Sequence, residues 1–160
     1  MKAKSQAFTM PIQLGDLAAT DALGARIAAG LGIGDAVALH GDLGAGKTTL
    51  ARAILRALGV AENVPSPTFT LVQTYETPGL VVRHYELYRI LNPRDVDELG
   101  LEDALEEGAV LIEWPERAGD RLPGDTLHVA LTTTGPHSRR ADIAGAARWA
   151  SLLSGAVLVR

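Results

Sequence analysis

Apolar residues recur along this chain in two rhythms. Over positions 17–29 they return every third or fourth residue, with Leu23, Ile27 and Leu31 on one stripe and Asp16 where an N-cap belongs. This spacing predicts a helix, closed by Gly30, Gly32 and Gly34. Positions 36–40 form a short apolar run of strand length, and the glycine-rich stretch Gly41-Asp42-Leu43-Gly44-Ala45-Gly46 follows directly. A second helix is predicted over positions 47–58. Leu50, Ile54 and Leu58 make its stripe, Ala51 and Leu55 lie beside them, and Gly59 stands at the C′ position.

Further along, β-branched and aromatic residues take over. Positions 68–76 and 80–88 predict two strands joined at Thr77-Pro78-Gly79, an antiparallel hairpin. Positions 95–106 predict one or two short helices interrupted at Gly100. Ala109-Val110-Leu111-Ile112 is continuously apolar, as in a strand buried on both faces, and it ends in Glu113-Trp114-Pro115. Positions 126–133 and 140–143 predict a second strand pair around Gly135-Pro136, and positions 146–153 a closing helix. The alternation implies an α/β fold whose central sheet is mixed and partly parallel, with antiparallel hairpins. No internal repeat or linker interrupts it, and 160 residues suit a single domain over positions 1–160.

Composition narrows the function. A chain that is 47% hydrophobic and 21% charged has a globular balance, which excludes a disordered one. Without cysteine it has no disulfide, no thiolate zinc site and no cysteine nucleophile. Positions 1–10 carry no apolar signal-type segment, and no run reaches membrane-spanning length, so a soluble cytoplasmic protein is expected. The net charge is −4, and the one adjacent basic pair is Arg139–Arg140. Proteins that grip nucleic acid themselves usually show a basic face, so any RNA is expected to be held mainly by partners. Arginine supplies 12 of the 15 basic residues, and Lys47 is the one lysine beyond the N-terminal tail.

Lys47 stands at a position where chemistry asks for lysine. Gly41-Asp42-Leu43-Gly44-Ala45-Gly46-Lys47-Thr48 fits G-x-x-x-x-G-K-[ST] at every fixed place, between a predicted strand and a predicted helix. Glycines let the main chain curl so that successive N–H groups point at phosphate oxygens, and the following helix adds its positive end. Lys47 brings a compact cation to the β- and γ-phosphates, and the Thr48 hydroxyl is a hard oxygen ligand for Mg²⁺. The loop residues Gly44, Ala45, Gly46, Lys47, Thr48 and Thr49 are therefore the candidate binding set for ATP or ADP.

Hydrolysis needs a second acidic group and something to orient water. Glu113, closing a buried strand beside the loop, is the candidate to hold Mg²⁺ with Thr48; the plain alternative is a solvated strand-end carboxylate. His84 and Glu86, two apart on a predicted strand, face the same way and could contact Mg²⁺ or polarise water. A lone histidine there is as often just an edge-strand polar residue. Ser66-Pro67-Thr68-Phe69 joins the second helix to the hairpin, with Pro65 and Pro67 stiffening it. Thr68 is a candidate γ-phosphate sensor, with a simple turn hydroxyl as its alternative.

Several segments together resemble the TsaE (older name YjeE) ATPases of bacterial tRNA threonylcarbamoyladenosine biosynthesis. They are the loop through Thr49, Ser66-Pro67-Thr68-Phe69-Thr70-Leu71-Val72, His84-Tyr85-Glu86-Leu87-Tyr88-Arg89, Glu98-Leu99-Gly100-Leu101 and Leu111-Ile112-Glu113-Trp114-Pro115-Glu116. The likeness covers roughly positions 12–116 in the family's order. It implies a three-layer P-loop fold and slow, Mg²⁺-dependent ATP hydrolysis. It also implies a complex with two partner proteins, TsaD and TsaB, that attach threonylcarbamoyl to adenosine 37 of tRNA. By the same resemblance Thr48 and Glu113 bind Mg²⁺, and Trp114 lies near the nucleotide. The family's usual H-F-D-L-Y-R departs here to Glu86 at the aspartate position, one methylene longer, so the reach of that carboxylate must be posed anew.

Three readings remain at this level. The first is an accessory ATPase that drives or resets a partner complex, with Glu86 positioning water, aided by Thr68. A small-molecule P-loop kinase is the second; it requires an acceptor pocket and usually an arginine-bearing lid, and the sequence shows no clear lid, although Arg89, Arg94 and Arg117 could be misread in that role. The third is a nucleotide-gated binding module without useful turnover.

Overall fold

A computed structural model describes residues 7–61, 64 and 71–158. The elements follow in the order β1 (Ala7–Leu14), α1 (Leu17–Gly30), β2 (Ala36–His40), α2 (Lys47–Ala57), β3 (Val72–Thr77), β4 (Leu80–Glu86) and α3 (Leu101–Glu107). After them come β5 (Ala109–Glu113), β6 (Leu127–Thr133), β7 (Arg139–Ala146) and α4 (Arg148–Leu158). Short 3₁₀ helices occupy Pro93–Leu99 and Pro115–Ala118. The strands form one seven-stranded sheet in the order β1-β7-β6-β2-β5-β4-β3. Its heart is parallel, β2 pairing with β5 and β6 and β4 with β5, and both flanks are antiparallel.

The predicted α/β class and mixed sheet are present. β5 is buried at every position, as its unbroken apolar run requires. Asp16 caps α1, its side chain accepting from the Ala19 amide at 2.9 Å. The expected break at Gly100 separates the Pro93–Leu99 turn from α3, with Gly100 in the left-handed region at φ +72.

Four boundaries differ, each for a local reason. Strand β1 was not expected, because Pro11 interrupts its pattern; β1 is an edge strand paired only with β7, where a missing N–H is tolerated. Strand β3 runs from Val72: Leu71 has φ +65, which no extended strand accommodates, and the expected start at positions 68–70 lies outside the described residues. Strand β4 stops at Glu86, where the chain turns and the Ile90 amide bonds to the Leu87 carbonyl. Strand β7 runs from Arg139 to Ala146, longer than expected, so α4 starts later, at Arg148.

The sheet lies in the middle of three layers. Helix α1 packs on α2 and α4, and these cover one face, burying Leu39, Leu111, Val129 and Ile143 against Leu23, Ile54 and Trp149. On the other face the Pro93–Leu99 turn, α3 and the Pro115–Ala118 turn cover Ala36, Tyr85, Val110 and Ile112. Among the described residues no helix is long and apolar enough to cross a membrane.

Parallel pairing fixes where the candidate site lies. The register sets Glu86 beside Glu113 on neighbouring strands and Leu39 of β2 beside Glu113. The carboxyl ends of β4, β5 and β2 thus form one crest, and the glycine-rich loop leaves β2 at that crest. Open α/β sheets present ligand clefts at such a crest.

Candidate functional site

The chain between β2 and α2 curls as the glycine spacing demands. Gly46 caps α2 at φ +104, a conformation that a side chain would strain. A Cβ on Gly41, at φ +146, would come within 2.8 Å of the Leu131 carbonyl oxygen, so the loop passes too close to β6 for any other residue. The result is a concave turn of main chain opening onto a cleft of about 410 Å³. Its walls include Gly44, Lys47, Thr48, Glu86, Glu113 and Arg139.

Lys47 is 5% exposed. Its Nζ donates to the carbonyls of Gly41 at 2.6 Å and Asp42 at 2.8 Å, and it lies 4.4 Å from the centre of the Trp114 ring. Burial pushes its pKa down, while the carboxylates of Glu113, Glu116, Asp42 and Glu86 pull the other way. Trp114 takes the left-handed conformation at φ 59, which costs a non-glycine residue about 1–2 kcal/mol. That turn holds its indole over Lys47 and 4.8 Å from the Tyr88 ring. The indole thereby joins the expected loop residues at the site.

Thr48 and Glu113 meet. The Thr48 hydroxyl donates to both carboxylate oxygens, at 2.8 and 3.0 Å. Glu113 is 3% exposed, and its Oε2 also lies 2.6 Å from Nε2 of the fully buried His84. The histidine therefore sits behind the glutamate, fixing its orientation, and does not itself face the cleft. The buried contact with Glu113 departs from the alternative of His84 as a plain edge-strand polar residue.

Glu86 is 5% exposed and only partly partnered. One oxygen, Oε1, accepts from the Tyr88 amide at 3.3 Å, and the other, Oε2, is buried with no partner. Burial pushes the Glu86 carboxyl above the usual carboxylate range; the Tyr88 amide lowers it, the Glu113 charge raises it further, and His84 and Lys47 oppose that. The side chain thus folds back onto the turn after β4 through one oxygen, and the other is left without a partner. Linkage makes this testable. A carboxyl held high in the folded state favours folding when protonated, and that contribution is lost as pH rises through its raised pKa. Glu86→Gln is therefore expected to melt higher than the parent near about pH 7, the gap closing towards about pH 4. Paired melting curves of nucleotide-free protein check this, and a variant that melts lower near neutrality would contradict it.

A hard cation with bound phosphate needs few protein oxygens, because Mg²⁺ keeps several waters. The Thr48 hydroxyl and the Glu113 carboxylate supply two such oxygens at one point, and the orphaned Glu86 Oε2 offers a third acceptor nearby for a water. The donor set fits.

Thr68, with Ser66, Pro67 and Phe69, lies outside the described residues. Thr49 lines both the cleft of about 410 Å³ and a second, more apolar one of about 590 Å³. Leu14, Leu17, Leu131, Pro136 and His137 contribute to that second cleft. Two features escaped the sequence reading. Arg139, noted only as half of a basic pair, borders both clefts and donates from Nε to the Ala45 carbonyl at 3.0 Å. The apolar cleft itself draws on four separate segments, so no local pattern announces it.

Comparison with known proteins gives one answer. The family model "Threonylcarbamoyl adenosine biosynthesis protein TsaE" matches residues 14–141. The tRNA threonylcarbamoyladenosine biosynthesis protein TsaE of Rickettsia felis is 40% identical over 125 residues, 78% of this chain and 73% of that protein. The protein of the same name from Nostoc sp. is 39% identical over 137 residues, covering 82% and 83%. Among solved structures, Bacillus subtilis YdiB superposes with a TM-score of 0.77 at 26% identity, over 94% of this chain and 95% of that one.

Proposed function

Because the chain belongs to the TsaE family of tRNA threonylcarbamoyladenosine biosynthesis, we propose that it is a slow, Mg²⁺-dependent ATPase serving that modification. The observation that carries the proposal is the meeting of three groups at one crest: the Lys47 loop, the Thr48–Glu113 pair and the half-partnered Glu86 carboxylate.

The loop amides and Lys47 bind the β- and γ-phosphates, and the base lies in the apolar cleft beside Thr49. Thr48 and Glu113 hold the metal, with His84 keeping the glutamate in place. When bound, Mg²⁺ neutralises charge that builds on the phosphate oxygens. Glu86 accepts a hydrogen bond from the attacking water through Oε2, orienting it in line with the γ-phosphorus. Its raised pKa suits a group that must also take up a proton. Trp114 closes over Lys47 and shields it from solvent. Thr68 remains a proposed sensor of the γ-phosphate.

Hydrolysis acts on a complex with two partner proteins resembling TsaD and TsaB, which hold the tRNA; a net charge of −4 suits a subunit that leaves RNA contact to others. Glu86→Gln is expected to lower ATP turnover about tenfold or more while changing nucleotide affinity by no more than a few-fold. Single-turnover hydrolysis with matched calorimetric titrations reads both numbers. Unchanged turnover would remove Glu86 from the mechanism. Phosphate appearing on an added small-molecule acceptor instead of in solution would favour a kinase.

A further inference from the structure

Arg139 reaches back to the phosphate loop from the first position of β7. Its Nε donates to the Ala45 carbonyl at 3.0 Å and its Nη2 to the Gly44 carbonyl at 3.4 Å. The remaining Nη1 donates to the carbonyls of Ser138 at 2.9 Å and Gly135 at 3.5 Å. All four acceptors are main-chain oxygens, two on the loop and two on the turn between β6 and β7.

The geometry of a trans peptide gives these contacts a consequence. A carbonyl and the N–H of the following residue point in opposite directions across one rigid plane. Drawing the Ala45 carbonyl outward therefore turns the Gly46 amide inward, towards the concavity, while the Ala45 amide, across the plane from the Gly44 carbonyl, closes the loop's own turn on the Asp42 carbonyl at 3.0 Å. Gly44 and Gly46 flank these planes at φ +80 and φ +104, and glycines restrain a peptide plane weakly. Something outside the loop has to hold it. A guanidinium is suited to that task, since one edge of its planar fork takes two neighbouring carbonyls while the other grips the β6–β7 turn.

We propose that Arg139 is a positioning residue that locks the Gly44–Ala45 and Ala45–Gly46 peptide planes, keeping the Ala45 amide in the loop's turn and the Gly46 amide facing the phosphates. It thereby sets the affinity for the polyphosphate chain. The proposal rests on the reading of the loop as a nucleotide site. It assigns Arg139 no part in recognising the base, although the side chain also borders the apolar cleft.

The test compares wild-type protein with Arg139→Gln and Arg139→Lys by calorimetry, using Mg·ATP and Mg·tripolyphosphate as probes, with apo melting curves alongside. Tripolyphosphate lacks base and ribose, so it reads the loop alone. Both variants are expected to bind both probes about tenfold or more weakly, by matching factors, at little-changed apo melting temperatures. Lysine is expected not to rescue, because one ammonium cannot hold two carbonyls and the turn together. The lysine variant, which keeps the charge, secures the result if the glutamine variant does not fold. Wild-type affinity in the variants, a loss confined to ATP, or full rescue by lysine would each overturn the proposal. Wild-type protein that bound neither probe would overturn the nucleotide reading itself and the clamp with it.

Discussion

Replacing Lys47 with alanine is expected to weaken Mg·ATP binding at least about 100-fold, or about 2.8 kcal/mol, while leaving the protein folded. The ammonium is the one lysine cation in the site among the described residues, held by the Gly41 and Asp42 carbonyls and roofed by Trp114. A hydrogen bond to a charged group contributes about 1.5–3 kcal/mol, and Nζ can make more than one to a triphosphate in a site where little water competes. The fold does not depend on it. Burial already pushes the Lys47 pKa down, so the ammonium gains nothing for folding by its desolvation, and alanine removes that opposition. Calorimetric titration and a melting curve of the same preparation separate the two effects. Retained affinity in a folded variant would show that the phosphates lie elsewhere.

A second large effect is expected at Glu113. The Glu113→Gln variant should lose about 100-fold or more of its ATP turnover, and its nucleotide affinity should cease to depend on Mg²⁺. Glutamine keeps the volume and can still accept from Thr48 and meet His84, but it removes the charge that would hold the cation. Glu113→Ala adds a structural penalty, because His84 Nε2 loses its partner at a position with no solvent exposure. An orphaned buried polar atom costs about 1–3 kcal/mol, so alanine should also lower the melting temperature. Turnover measured across a Mg²⁺ series, with and without the substitution, checks the first claim. A variant with unaltered metal dependence would take Glu113 out of the site.

How much of this was legible in the chain follows from distance along it. The loop, α1 with its Asp16 cap and the buried strand β5 were readable because neighbouring residues carry the whole signal. Glu113 could be placed because a charged residue closing an unbroken apolar run has few other places to go. Strand β1 was hidden by Pro11, whose meaning depends on the strand being at the sheet edge. The partnership of His84 with Glu113 required knowing that β4 and β5 are parallel neighbours in a particular register. Arg139 was the least visible. Its two acceptors on the loop lie 94 and 95 positions away and are carbonyls, which every residue possesses, so nothing in the residue types marks the pairing. Glu86 lies between these cases: its spacing from His84 set the direction of the side chain, while only the fold shows that one carboxylate oxygen is left without a partner.

The most direct test of the account is a crystal structure of the complex with Mg²⁺ and a non-hydrolysable ATP analogue. The β-phosphate is expected within hydrogen-bonding distance of the amides from Gly46 to Thr48, with Lys47 Nζ moved from its carbonyls onto the β- and γ-oxygens. The metal should lie on the Thr48 hydroxyl, beside Glu113. Phosphates bound away from that loop, or a loop whose carbonyls rather than amides face them, would contradict it.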